Sequence, residues 1–160
     1  MNNTHIEVAE NLFELLESDY ILYYEKLCDL ENLYDKNIIE FIVNHTSYNS
    51  YFGNQLHALI YVTGDLKEKP SQQHMNFYGS ETYVPEEVSI KILDKLVLYN
   101  IDLYQINYYN ENLLENINYE GGLTKRINNN NFKKKLHDIF ISNFIHCLNI
   151  NVEVNINLSL

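Results

Sequence analysis

Apolar residues recur at helical spacing from close to the start of the chain. Over residues 5–17, Ile6, Ala9, Leu12, Phe13 and Leu16 share one helical face, and Glu7, Glu10, Glu14 and Glu17 take the other. Ser18-Asp19 punctuates this helix and can cap the next one, over 20–34, where Ile21, Leu22, Leu27, Leu30, Leu33 and Tyr34 lie near helical spacing. Ile38, Ile39, Ile42 and Val43 predict a short third helix within 36–43, followed by a polar loop over 45–50. Phe52, Leu56, Leu59, Ile60 and Val62–Thr63, with His57 among them, read as a largely buried helix that stops at Gly64.

The second half of the chain alternates between clear and unclear patterns. Residues 65–74 are polar with a proline and read as an exposed loop, and 75–84 as an irregular strand or buried loop around Gly79. Pro85 opens a helix as its first residue, with Glu86 and Glu87 complementing the positive N-terminus. Val88, Ile92, Leu93, Leu96 and Val97 form its apolar stripe, and Asn100 can end it. A further helix is expected over 101–114, then an Asn-rich loop over 118–131, then an amphipathic helix over 132–148 that turns Phe132, Leu136, Ile139, Phe140, Phe144 and Leu148 inward. In the closing stretch 150–158, Ile150, Val152, Val154, Ile156 and Leu158 alternate with Asn151, Glu153, Asn155 and Asn157, the period of a half-buried strand. A strand requires partners. The expected class is therefore α+β: mainly helical, in a single domain over 1–160, with helices packed on a small antiparallel sheet that includes the C-terminal strand.

Composition sharpens this picture only in part. The chain has 160 residues and is 46% hydrophobic, enough to bury a core without staples. Two well-separated cysteines, Cys28 and Cys147, form no metal or redox motif and read as free thiols of a reducing cytoplasm. There is no signal-peptide pattern and no apolar run near the ~18 residues of a membrane span, so a cytoplasmic location is expected. The net charge of −11 repels phosphates and anionic lipid, which argues against nucleic-acid and membrane partners and favours a basic one.

Two short stretches carry a resemblance. Leu56-His57, with its apolar run to Thr63-Gly64, and Tyr83-Val84-Pro85-Glu86-Glu87-Val88 resemble elements of the YfbM-like family of small bacterial proteins. Asn118-Tyr119, the amphipathic helix and the closing segment follow in the same order, so the resemblance covers about residues 50–158. Gly53 stands where the family usually has tryptophan, and Glu120 where a proline is common. The resemblance implies a compact α+β domain with no established activity. Its family context makes an immunity or defence role, neutralising a toxin, conceivable by analogy.

Candidate chemistry centres on His57. It is either a core residue bonded to a backbone carbonyl or a carboxylate of the 81–87 segment, or a general base in a ligand pocket with Tyr61, Tyr83, Glu86 and Glu87. The other histidines, His5, His45, His74, His137 and His146, show no metal-ligand spacing, and no metal or cofactor is expected. No nucleophile elbow, P-loop or dinucleotide fingerprint occurs. The Gly121-Gly122 turn before Lys125-Arg126 is either an anion cradle or a solvated turn.

Tyrosine is abundant, with 14 copies, and Tyr99, Tyr104 and Tyr108 cluster beside Asp102. Exposed, this cluster would suit contact with a basic protein; buried, it would be core-edge packing. The leading expectation is a non-enzymatic domain that occludes a basic partner, such as a toxin, through an acidic, tyrosine-rich surface. An enzyme or small-ligand binder using the His57 pocket, and a homo-oligomeric structural protein, are the alternatives.

Overall fold

The computed structural model describes residues 3–47, 53–63, 84–105 and 130–159, with side chains described except at Tyr61, at Asn130 and beyond His146. Six helices account for most of these residues: α1 (Asn3–Ser18), α2 (Tyr20–Leu33), α3 (Lys36–Asn44), α4 (Gln55–Val62), α5 (Glu86–Leu98) and α6 (Asn130–Ser159). α1 packs on α2, α3 and α4; α2 also meets α3 and α5, and α5 links α4 to α6.

The helix boundaries have local causes. Asp19 caps α2 by accepting from the Leu22 N–H, and Asp35 caps α3 by accepting from the Ile38 N–H. Pro85 stands one position outside α5, as its N-cap, rather than as its first residue. At the other end of α5, Asn100 adopts φ +64°. Its N–H bonds the Val97 carbonyl, and the next N–H, of Ile101, reaches back to the Leu96 carbonyl at 3.0 Å. These two bonds form a Schellman stop, with buried Ile101 and Leu96 as its apolar pair.

The core contains Ala9, Leu12, Phe13 and Leu16 from α1, together with Leu27, Ile42, Leu59, Leu93, Phe132 and their neighbours. Buried polar ties cross it, among them one that starts at Tyr23. The Tyr23 hydroxyl donates to Gln55 Oε1 at 2.9 Å, and Gln55 Nε2 donates to the Ala9 carbonyl at 3.4 Å, joining α2, α4 and α1. Burial pushes the Tyr23 phenol far up, so it acts as a neutral donor.

The expected sheet is overturned. Among the described residues there is no strand, and the fold is mainly helical rather than α+β. The stretch 150–158 continues α6 to Ser159. Its alternation also places Val152 and Ile156, and Ile150, Val154 and Leu158, four residues apart, a spacing that a helix accommodates. A helix satisfies its backbone groups within the segment, whereas a strand here finds no partner strand among the described residues. What remains of extended pairing is one isolated parallel bridge between Thr63 and Val84, where the Val84 N–H donates to the Val62 carbonyl at 3.0 Å.

The expected helix over 101–114 does not begin at Ile101 either. Residues 101–105 are a non-helical connection, set off by the left-handed Asn100, and the rest of that stretch lies outside the described residues, as do the expected loop at 65–74, most of 75–84 and positions 118–129 of the expected loop over 118–131, whose last two residues, Asn130 and Asn131, instead open α6. Several residues counted in apolar stripes face outward, including Ile21, Leu33, Val97 and Phe144, the last with 57% of its surface exposed.

The assignment of 150–158 to α6 has a direct test. Backbone carbon chemical shifts across this stretch are expected to be helical, and Asn151→Ala with Asn155→Ala should raise helicity and thermal stability, since alanine is the better helix former by up to about 0.7 kcal/mol per site. A strand would give extended shifts and lose stability on the same change.

Candidate functional site

The site grows from two asparagines at helix ends. Asn54 is fully buried, and its Oδ1 accepts from the Leu56 and His57 N–H groups at 3.1 and 3.3 Å, capping α4. Its Nδ2 points the other way and donates to the Asp102 carbonyl at 3.1 Å, with a longer contact to Asn44 Oδ1 at 3.4 Å. Asn44 closes α3. Its Oδ1 receives the Asp102 N–H at 2.6 Å, and its Nδ2 donates to the carbonyls of Glu40 and Asn100 at 2.9 and 3.2 Å. Gln105 adds two bonds, from Nε2 to the Asn44 carbonyl and to Thr46 Oγ1, both at 3.1 Å. Side-chain amides therefore supply the turn-like hydrogen bonding that the irregular backbone of 100–105 lacks.

His57 belongs to this clasp. Its ring is buried and Nε2 lies 2.7 Å from the Gln105 carbonyl, which can only accept, so Nε2 carries the proton. The carbonyl comes from residue 105 and not from the 81–87 segment. Gly53, at φ +86°, lies against the other side of the ring, where a Cβ would stand 2.8 Å from His57 Cδ2. Any side chain there would both strain the backbone and strike the imidazole. Burial lowers the His57 pKa to about 4, outweighing the opposing pull of the Gln105 carbonyl and of Asp102. The imidazole is thus neutral at pH 7, and Nδ1 is buried with no hydrogen-bond partner among the described residues. A general base needs an exposed nitrogen near a substrate proton. Neither nitrogen of His57 offers one among the described residues.

The other expected site residues are dispersed. Glu86 and Glu87 occupy the first turn of α5 and share no described hydrogen bond with His57. Tyr61 lies on α4 with its side chain outside the described residues, where Tyr83 and Tyr108 also fall. Tyr99 is 6% exposed and donates to the Leu27 carbonyl at 3.1 Å, so it packs at the edge of the core. Asp102 and Tyr104 are exposed and adjacent. Asp102 Oδ1 accepts the Tyr104 N–H at 2.9 Å, the Tyr104 hydroxyl accepts from Asn143 Nδ2 at 2.7 Å, and the ring packs edge-on against Phe140 at 6.2 Å. Elsewhere, His45 Nε2 and Ser47 Oγ each engage one oxygen of Glu10 at 3.1 Å, which ties the 45–47 turn to α1.

The clasp residues Asn44, Asn54 and Gln105 stand out in no periodic pattern. Asn54 alone carries a readable signal, an Asn placed just before an apolar helical run. The end of α4 meets the start of α5: Thr63 bridges Val84, and Ser89 Oγ lies 2.8 Å from Thr63 Oγ1. Comparison of the chain with protein-family models, with curated proteins and with solved structures finds no match. Among the described residues no group of His, Cys, Asp or Glu is arranged to hold a metal, and no helix is long and apolar enough to cross a membrane.

Two predictions follow from the clasp. Asn54→Asp keeps the cap on α4 but replaces the donor that holds Asp102, setting a carboxylate against a carbonyl. Stability is expected to fall by about 1–3 kcal/mol in urea unfolding, with faster amide exchange at Asp102 than in the wild type. Secondly, because His57 binds a proton less readily when folded than unfolded, the unfolded state takes up more protons between pH 6.5 and about 4. His57 therefore contributes on the order of 3 kcal/mol above pH 6.5, lost progressively as the pH falls to about 4. Glu17, held up at about 7 by burial and by Glu14, acts in the opposite sense, losing stability as pH rises through 4.5 to 7. The His57 share is accordingly read from its own ring signal, whose NMR titration midpoint is expected near 4.

Proposed function

We propose that this chain is a protein-binding domain of the cytoplasm, without catalytic chemistry of its own, whose acidic, tyrosine-bearing surface engages a basic protein. The observation that carries this reading is Tyr104: 42% exposed, flanked by Asp102, and fixed at its backbone, ring and hydroxyl. An aromatic side chain already held in place loses little entropy on binding, which is the character of an interface anchor. The net charge of −11 supplies the long-range attraction that speeds encounter with a positive partner. His57, the residue on which an enzymatic reading rests, has Nε2 engaged by a carbonyl and its ring covered by Gly53.

Neutralising a basic toxin, by steric and electrostatic occlusion, is the concrete form of this proposal. Kinship with the YfbM-like family is part of the same proposal and rests on residues 56–64 and 83–88.

The test is capture on immobilised protein from the native lysate, with cross-linking and mass spectrometry. A stoichiometric partner rich in Lys and Arg is expected, retained at low ionic strength, released as salt rises to about 1 M and lost from Tyr104→Ala. A small molecule that co-purifies with the wild type and is absent from a folded His57→Gln variant would overturn the reading.

A further inference from the structure

The surface beside Tyr104 is concave. One hollow of about 620 Å³ is lined by Glu40, Phe41, Asp102 and Tyr104 among others, and a second of about 660 Å³ by Glu31, Asp35, Lys36 and Leu98 among others. They share Asn37, Glu40 and Asn100, so they lie end to end between α3 and residues 98–104, with the Asn100–Glu40 hydrogen bond standing between them, and together they make up the α3 groove.

Three features of this groove point to one kind of occupant. The first is charge. Among the described residues, Glu31, Asp35, Glu40 and Asp102 line it against one lysine, Lys36. Lys95 reaches Glu31 from outside the lining at 3.3 Å, and Asn100 Nδ2 donates to Glu40 Oε1 at 2.9 Å, while Glu40 Oε2 takes no hydrogen bond among the described residues. The second is the presence of apolar anchors at both ends: Leu98, 67% exposed, and the fixed ring of Tyr104. The third is rigidity. Both walls are tied together by the bonds of Asn44 to Asn100 and Asp102, so the groove is formed before anything enters it.

From these we infer that the α3 groove seats an extended segment of a basic protein, with a lysine or arginine of that segment bonded to Glu40 and apolar side chains resting on Leu98 and Tyr104. The inference rests on the protein-binding reading above and deepens it by naming the seat. An arginine suits the midpoint, because it can bond Glu40 through its fork of donors while its plane lies against Phe41. Tyr104 has its hydroxyl oxygen occupied by Asn143, which leaves the phenolic hydrogen to donate to a backbone carbonyl of the segment.

The probe is a short fluorescent peptide of alternating arginine and leucine, followed by anisotropy and by amide chemical shifts. Saturable binding is expected, with shifts concentrated in Asn37–Asn44 and Asn100–Gln105. Glu40→Lys and Tyr104→Ala should each weaken it about tenfold. Glu40→Gln, which keeps the bond from Asn100, should weaken it less. Glu7→Lys, an equal change of charge on the exposed face of α1, should leave it almost unchanged. Equal loss in Glu7→Lys and Glu40→Lys, or shifts scattered over the whole acidic surface, would overturn the groove. So would the absence of peptide binding. A basic partner from the lysate that Glu40→Lys and Tyr104→Ala still retain would overturn the groove while leaving the protein-binding reading intact; absence of any basic partner would overturn that reading itself.

Discussion

The hydrogen bond from the Asp102 N–H to Asn44 Oδ1, with its neighbour from Asn54 Nδ2 to the Asp102 carbonyl, is the constraint on which the segment 100–105 depends. It fixes both backbone groups of one residue in a segment that has no secondary structure to satisfy them. Everything nearby takes its position from this. Tyr104 follows Asp102 by two residues and is held by its carboxylate. Gln105 then offers its carbonyl to His57 and its amide to α3. The helices α3 and α4 end and begin, respectively, at the two asparagines that do the holding. The helical packing and the 100–105 segment are thus joined through amide side chains as well as through the buried Ile101 and Leu103.

His57 gains its meaning in this setting. A buried neutral imidazole next to a glycine that no other residue can replace is a packing and hydrogen-bonding element. The buried Nδ1 carries a desolvation cost that the fold sustains elsewhere, which fits a residue selected for the Nε2 bond and the flat shape of its ring. The same burial that removes it from acid–base chemistry makes it a point at which acid weakens the clasp.

Much of the helical framework could be read directly from residues. The stripe of α1, the Asp19 cap of α2 and the stop of α5 at Asn100 follow from local rules that tertiary contacts do not disturb. The C-terminal segment misled because a period of two places apolar residues at i and i+4 as well as i and i+2, so its pattern serves a strand and a helix alike. Residues 101–105 misled for a different reason. Their apolar members are regularly spaced, but the left-handed Asn100 and the pull of Asn44 hold the chain out of a helix. The clasp itself was illegible, since its partners lie 48 to 61 residues apart and amides advertise no partner in sequence.

That separation has a kinetic side. α1, α2 and α3 are consecutive neighbours whose contacts close short stretches of chain, whereas the bond between Asn44 and Asp102 closes a loop of 58 residues. Such a contact forms late and opens early. The 100–105 segment is consequently held less firmly than the bundle beneath it, since several of its polar bonds are exposed and water can replace them. Under mild heat or denaturant the molecule would keep its helices while residues 100–105 came away from α3 and α4, taking the set position of Tyr104 with them.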